Sequence, residues 1–191
     1  MLKSEKKLQK EKQKELIKTN NQARKKMSGA ALSGRRTTRE EIDQLLKELG
    51  DLGFYDICEQ YEVCGSYRRG KAESGDIDIV FLPKTKEAYE NWFSGLEITK
   101  REGMFANNVL IRGVQIDLFE ANEFSYPTMV MTWTGSRGFN MRMRGKSHAA
   151  GYVYTRNGMY DGKTGEIING IKTEQDIFNL IGIDYVDPRR R

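Results

Sequence analysis

The stretch "DIDIVFL" at residues 76–82 constrains this chain more than any other. Acidic and aliphatic residues alternate with a period of two, the signature of a strand whose two faces meet different surroundings. Ile77 and Ile79 turn into a core, and Asp76 and Asp78 share the opposite face. Carboxylates held side by side raise each other's pKa unless a cation neutralises them. Mg²⁺, which binds through a few carboxylates together with substrate phosphates, suits that demand.

A second alternating run, "VQIDLF" at 114–119, sets Asp117 as a polar residue within an apolar strand. If the two strands are neighbours, three carboxylates converge. Such a triad can hold two ions and run an in-line phosphoryl displacement. Upstream, "GSYRRG" at 65–70 supplies the parts of a phosphate cradle. Gly65 lets the backbone approach phosphate closely, Ser66 adds a donor at a turn, and Arg69 and Ser74 add contacts. Asp-x-Asp by itself is a weak signal, since surface strands produce it by chance. Gly-Ser placed ten residues ahead of it, with an apolar strand behind, is far more specific. The plain alternative is a solvated acidic strand preceded by a basic turn.

Around these segments the chain reads as α+β. Thr38-Arg39-Glu40-Glu41 fits a capping box, with Ile42, Leu45, Leu46 and Leu49 at helical spacing and Gly50 as the stop. "QYEVCG" reads as a strand, 86–93 as a helix stopped by Gly95, and 107–121 as a hairpin turning at Arg112-Gly113. A Thr-Gly-Ser turn within "TWTGSRGFNMRMRGKSHAAGYVY" opens a further helix. Asn157-Gly158 and Asp161-Gly162 imply short antiparallel strands, and Thr173 to Gly182 frame a last helix. The body divides into lobes at 37–122 and 123–191.

Composition narrows the setting. The 191 residues are 38% hydrophobic, and no run approaches the ~18 apolar residues of a spanning helix, so no membrane role is expected. Cys58 and Cys64 give neither a metal spacing nor a disulfide scaffold, which points to a reducing, intracellular compartment. Charge is unevenly spread. Residues 1–36 hold 12 Lys/Arg against 3 Glu, a net +9, whereas 37–191 hold 20 Lys/Arg against 24 Asp/Glu, a net −4. The segment 1–36 thus reads as a basic arm and linker, either a nucleic-acid contact or a solvated extension.

Taken together, Gly65-Ser66-Tyr67-Arg68-Arg69-Gly70 followed by Ser74-Gly75-Asp76-Ile77-Asp78 resembles the nucleotidyltransferase signature of the family X DNA polymerases. Asp117 matches the family's third catalytic carboxylate. "TWTGSRGFNMRMR" is similar to the palm–thumb junction, its Trp-Thr-Gly-Ser-Arg looking most like the polymerase mu and terminal transferase branch, and "TEQDIFNLIGIDYVDPRRR" is similar to the thumb terminus. The likeness covers roughly 35–191 and implies a palm with a mixed or antiparallel sheet, plus a small α/β thumb.

It also implies roles. Asp76 and Asp78 would bind two Mg²⁺ ions, with Mn²⁺ able to substitute, and Asp117 the ion that activates a primer 3′-hydroxyl. Gly65, Ser66, Arg69, Ser74 and Gly75 would line the triphosphate. Trp133, Thr134 and Gly135 would border the sugar, and Asn140 would reach the base. Arg144 would approach the template strand, with Arg137, Arg142 and Lys146 holding the duplex. The implied activity is template-directed addition of deoxynucleotides to a primer in nicked or gapped DNA, as in short-gap repair, by a monomer. A template-independent, terminal-transferase-like enzyme is the alternative; a non-catalytic DNA-binding module is disfavoured because all three carboxylates are present.

Departures from the family carry expectations too. Only 36 residues precede the palm, which resembles the reduced palm-and-thumb form known among large DNA viruses and implies no lyase activity. Gln115 stands where many relatives place an arginine that orients the third aspartate, implying a less constrained Asp117. Thr132-Trp133 replaces a Tyr-Phe pair, implying weaker rejection of ribonucleotides. His148 and Cys64 are read as structural or solvated.

Overall fold

The computed structural model describes residues 36–98, 100–102 and 106–191, so the basic arm, Arg36 apart, lies outside the described residues. Strand β1 (Thr37–Thr38) runs straight into helix α1 (Arg39–Asp51). Thr38 closes the expected capping box: its hydroxyl accepts from the Glu41 amide, and the Glu41 carboxylate accepts from the Thr38 amide. Gly50 is not the stop. The helix continues to Asp51, and Gly50 instead makes room for the Tyr55 ring, which an added Cβ would meet at 2.7 Å. The reversal falls at Gly53, with φ of 86°.

A five-stranded mixed sheet follows, built from β2 (Cys58–Val63), β4 (Ile77–Pro83), β5 (Lys100–Arg101), β6 (Asn107–Ile111) and β7 (Val114–Glu120) in the order β2-β4-β7-β6-β5. Between β2 and β4 lie a single helical turn, α2 (Gly65–Arg68), and β3 (Glu73–Ser74), which pairs with β1. The chain from β4 to β7 passes through helix α3 (Lys86–Gly95) and the β6–β7 hairpin. That hairpin turns where expected, at Arg112 and Gly113, both with positive φ (51° and 81°). Consecutive left-handed residues match the twist of a tight hairpin. The other ladders are antiparallel, but β4 and β7 are parallel, with Asp78 directly opposite Asp117.

The two faces of β4 and β7 have separate fates. Ile77, Ile79, Phe81, Ile116 and Leu118 pack into one core with Ile42, Leu45 and Leu49 of α1 and Tyr89 and Phe93 of α3. Burying each such side chain is worth about 1.5–3 kcal/mol. A one-residue slip would expose all five and bury the carboxylates, so the register is strongly fixed. On the other face Val80 and Phe119 pack beneath Met129 and Val130 of helix α4 (Tyr126–Thr134). Asp78 and Asp117 sit two residues earlier on the same face.

Helix α4 has no counterpart among the sequence expectations. Its buried residues, Pro127, Thr128, Met129, Val130, Met131 and Thr134, surround the axis and leave no amphipathic period to read. Helix α5 (Arg137–Ala149) starts at Ser136, whose hydroxyl accepts from the Phe139 amide. The hairpin β8 (Tyr152–Thr155) and β9 (Gly158–Asp161) and helix α6 (Glu174–Leu180) complete a second core around Met131, Phe139, Met143, Tyr154, Ile177 and Phe178. Mixed sheet and separate helical cores make the fold α+β. No helix among the described residues is long and apolar enough to cross a membrane.

Candidate active site

The carboxylates meet because two strands distant in sequence run parallel in register. Asp78 and Asp117 are opposed across β4 and β7. Asp76 lies in the bend just ahead of β4 rather than on the strand, and is exposed. Burial pushes the Asp78 carboxyl up to about 7, with further contributions from Asp76 and Asp117 and an opposing one from Arg69. Asp117 is also raised, first by burial; hydrogen bonds from Gln115 and Asn108 pull the other way, and Asp76 adds repulsion.

Asp117 is not loosely held. Gln115 Nε2 and Asn108 Nδ2 both donate to its Oδ1, at 2.6 and 2.5 Å. The expectation of a less constrained Asp117 is therefore corrected, because two neutral amides do what one arginine was expected to do. Asn108 was missed. The signal was its position across the hairpin, where β6 sets it opposite Asp117.

The turn at 65–69 packs against Asp78. Gly65, at φ of 62°, stands where an added Cβ would come within 2.6 Å of Asp78 Oδ2, so close approach and backbone conformation both demand glycine. Ser66 Oγ donates to Ser74 Oγ at 2.8 Å, and Ser74 is fully buried. Arg69 donates through Nη1 to the Thr134 carbonyl at 2.8 Å. Gly75 is exposed, with open space where a Cβ would be. Cys64 is buried, and burial pushes its thiol up to about 12, which suits packing rather than nucleophilic attack.

These elements open on a cavity of about 510 Å³ lined by Gly65, Ser66, Arg69, Asp76, Asp78 and, from α4, α5 and the turn between them, Thr132, Trp133, Gly135, Arg137, Asn140, Met141 and Arg144. Two expected assignments are redistributed. Thr134 is fully buried and serves as a tie, its hydroxyl accepting from Arg68 and its carbonyl from Arg69. Arg142 and Lys146 face a separate hollow against Gly182, Ile183, Asp184 and Val186, because α5 turns them away from the row formed by Arg137, Met141 and Arg144. Asn140 reaches the cavity, but its Nδ2 donates to the Thr132 carbonyl at 2.7 Å while its buried Oδ1 has no partner among the described residues. Trp133 stacks on Phe119 at 3.8 Å between ring centres, and its buried indole N–H is likewise unpartnered among those residues.

Among the described residues, no three His, Cys, Asp or Glu side chains stand close enough to enclose a metal ion. The three-carboxylate cluster expected of Asp76, Asp78 and Asp117 is thus not closed, with Asp76 exposed in the bend ahead of β4. The donors still fit a hard divalent cation. A carboxylate raised first by burial and then by two like-charged neighbours is relieved when a cation shares its oxygens, and Mg²⁺ commonly completes its shell with substrate phosphates.

The comparisons with known proteins agree with this geometry. Residues 36–135 match the DNA polymerase beta palm and 129–191 the DNA polymerase beta thumb. The chain is similar to a DNA nucleotidylexotransferase of Xenopus laevis, 28% identical over 77% of this chain and 28% of that protein. It is also similar to DNA polymerase lambda of Arabidopsis thaliana, 24% identical over 80% of this chain and 35% of the relative, and of Rattus norvegicus, 26% identical over 67% and 28%. The chain therefore spans only about a third of the length of these relatives. With both family domains matched in order over a sheet that sets two aspartates side by side below a Gly-Ser turn, the chain belongs to the family X DNA polymerases.

Proposed function

We propose that this chain extends a primer 3′-hydroxyl with deoxynucleotides under the direction of a template, in the manner of short-gap repair synthesis. The observation that carries the reading is Asp78, which lines a cavity together with Asp76 and the 65–69 turn and stands in register beside Asp117 of the neighbouring strand. Asp117 would accept charge near the attacking hydroxyl, its Oδ1 already fixed by Asn108 and Gln115. Asp76 and Asp78 would face the triphosphate. Bound Mg²⁺, held by Asp76, Asp78 and Asp117, would supply the Lewis acidity that the hydroxyl and the phosphates require. Gly65, Ser66 and Arg69 would receive the phosphates, Arg69 by exchanging the Thr134 carbonyl for an anionic oxygen. Trp133 and Gly135 would border the sugar, with Asn140 at the base. Arg137 and Arg144 on one side of α5 would meet nucleic-acid phosphates.

Primer extension with and without a template strand, with Asp117→Ala as control, tests this. Template-dependent extension abolished by the substitution is expected. Extension indifferent to template would establish the second reading, a terminal-transferase-like activity, which the similarity to nucleotidylexotransferases and Trp133 favour. Extension that survives Asp117→Ala would overturn both.

A further inference from the structure

Arg68 and Arg69 are adjacent but are used in opposite ways. Arg69 lines the cavity; Arg68 points away from it, its side chain 18% exposed. Arg68 Nε pairs with Glu62 Oε1 of β2 at 3.2 Å, and its Nη1 meets Glu174 Oε2 at 2.8 Å and Thr134 Oγ1 at 2.9 Å. Glu174 opens α6, and its second oxygen holds Arg191 Nη1 at 2.5 Å. The Arg191 side chain is fully buried, donates through Nε to the Val186 carbonyl at 2.8 Å, and lies within 4.9–5.7 Å of the rings of Phe139, Tyr185 and Phe178.

Two arginines and two glutamates thus form one neutral set running from the thumb core to the phosphate turn. Each link is geometrically demanding. Only a planar guanidinium can present donors to Glu62, Glu174 and Thr134 together, and an ammonium could satisfy them only in part. Glu174 divides its two oxygens between partners from different parts of the fold. Thr134 is the point of contact between the two neighbours, its hydroxyl on Arg68 and its carbonyl on Arg69. Arg69 can therefore leave the carbonyl for a phosphate while Arg68 keeps the junction in place.

We propose that Arg68, Glu174 and Arg191 are positioning residues that fix the 65–69 turn against the thumb, so that nucleotide affinity depends on side chains that touch no substrate. This rests on the reading that the cavity receives a nucleoside triphosphate. Arg68→Lys keeps the charge but loses the three-way grip. Misplacing a binding turn by a fraction of an ångström to an ångström costs roughly tenfold to a hundredfold. That loss should fall on the KM for deoxynucleotide, with kcat at saturation changed by less than about threefold. Arg191→Lys should act in the same direction and more weakly. The double variant should be no worse than Arg68→Lys, because both act through Glu174.

The experiment is steady-state incorporation against deoxynucleotide concentration on the full chain, with active-site titration. Thermal unfolding and direct binding of deoxynucleotide in the presence of Ca²⁺ accompany it. Loss of active sites or of kcat with KM unchanged assigns the network to folding alone and overturns the proposal. If Arg68→Lys does not fold, Arg191→Lys decides by the same KM criterion. If wild-type protein binds no deoxynucleotide, the functional reading fails. If it binds and both variants match it, the positioning proposal fails and the functional reading stands.

Discussion

Replacing Gly65 with alanine separates the two demands placed on that residue. The first is conformational: φ of 62° is the left-handed region, which costs an L-residue about 1–2 kcal/mol. The second is steric. The new Cβ would lie 2.6 Å from Asp78 Oδ2, and ordinary contact begins at 3.4 Å, so one of the two must withdraw by about 0.8 Å. The atom in the way is the tip of a side chain, and it can rotate more cheaply than the strand beneath it can move. Stability should therefore fall by only the conformational term, about 1–2 kcal/mol, or roughly 2–8 °C in Tm for a chain of this size. Activity should bear the rest, because a carboxylate displaced by nearly an ångström is expected to slow incorporation about a hundredfold. Circular-dichroism melting and single-turnover incorporation with Gly65→Ala measure the two losses independently. An alanine variant that incorporates nucleotide at the wild-type rate would refute the reasoning. So would a stability loss above about 4 kcal/mol, since it would mean that the backbone gave way instead of Asp78.

Gly135→Ala should lower stability as well as activity: its Cβ would press on the buried Phe139 ring at 2.6 Å, on Asn140 Oδ1 at 2.7 Å and on the Met131 carbonyl at 3.2 Å, so a stability loss of about 1–3 kcal/mol is expected, and a melt unchanged within about 0.5 kcal/mol would contradict it. In chelator, Asp78 should make the protein less stable as pH rises from 3.8 to about 7, because its native pKa exceeds its unfolded one. Asp78→Asn should remove that slope, gaining at most about 4 kcal/mol at pH 8 and little near pH 4; an equal gain at both pH values in urea melts would refute the sign. Replacing both Asn108 and Gln115 with leucine strips Asp117 of two hydrogen bonds that lower its pKa, so the acid limb of the pH–rate profile should move to higher pH, and a fixed limb would show that Asp117 does not titrate there. Deleting residues 1–35, eleven cations against three acids, should flatten the slope of log K for DNA against log salt by about two or more, at roughly 0.9 for each phosphate the segment neutralises; an unchanged slope would remove DNA from the role of that segment.

The alternation in 76–82 and 114–119 identified strands β4 and β7 and the placing of Asp78 and Asp117 away from the core. It could not show that they pair in parallel, because parity within a strand says nothing of its neighbour's direction. The capping residues Thr38, Ser136 and Thr173 were legible since each acts within three positions of itself. Helix α4 was not, because a helix buried on nearly all sides has no polar stripe to betray its period. Spacing and resemblance singled out Gly65, Ser66, Arg69, Asp76 and Asp78, which line one cavity, whereas they did not single out Asn108, Glu174 or Arg191. Those three act through contacts made only after the chain has folded, across distances of 9 to 106 residues. Thr134, expected at the sugar, is buried and ties Arg68 to Arg69, a use that spacing alone does not show.

The parallel pairing of β4 with β7 also bears on how the chain is made. β4 is complete at residue 83 and β7 begins at 114, so about 30 residues separate the two partners in time as well as in space. At roughly 5–20 residues per second, β4 emerges from a ribosome beside β2 and then waits about 1.5–6 s for the strand that will cover its other edge. During that interval an apolar edge is open to mispairing, and Asp78 has no opposing carboxylate. A nascent chain stalled before residue 114 should therefore be a client for chaperones and inert toward nucleotides, and both properties should change together once β7 is released.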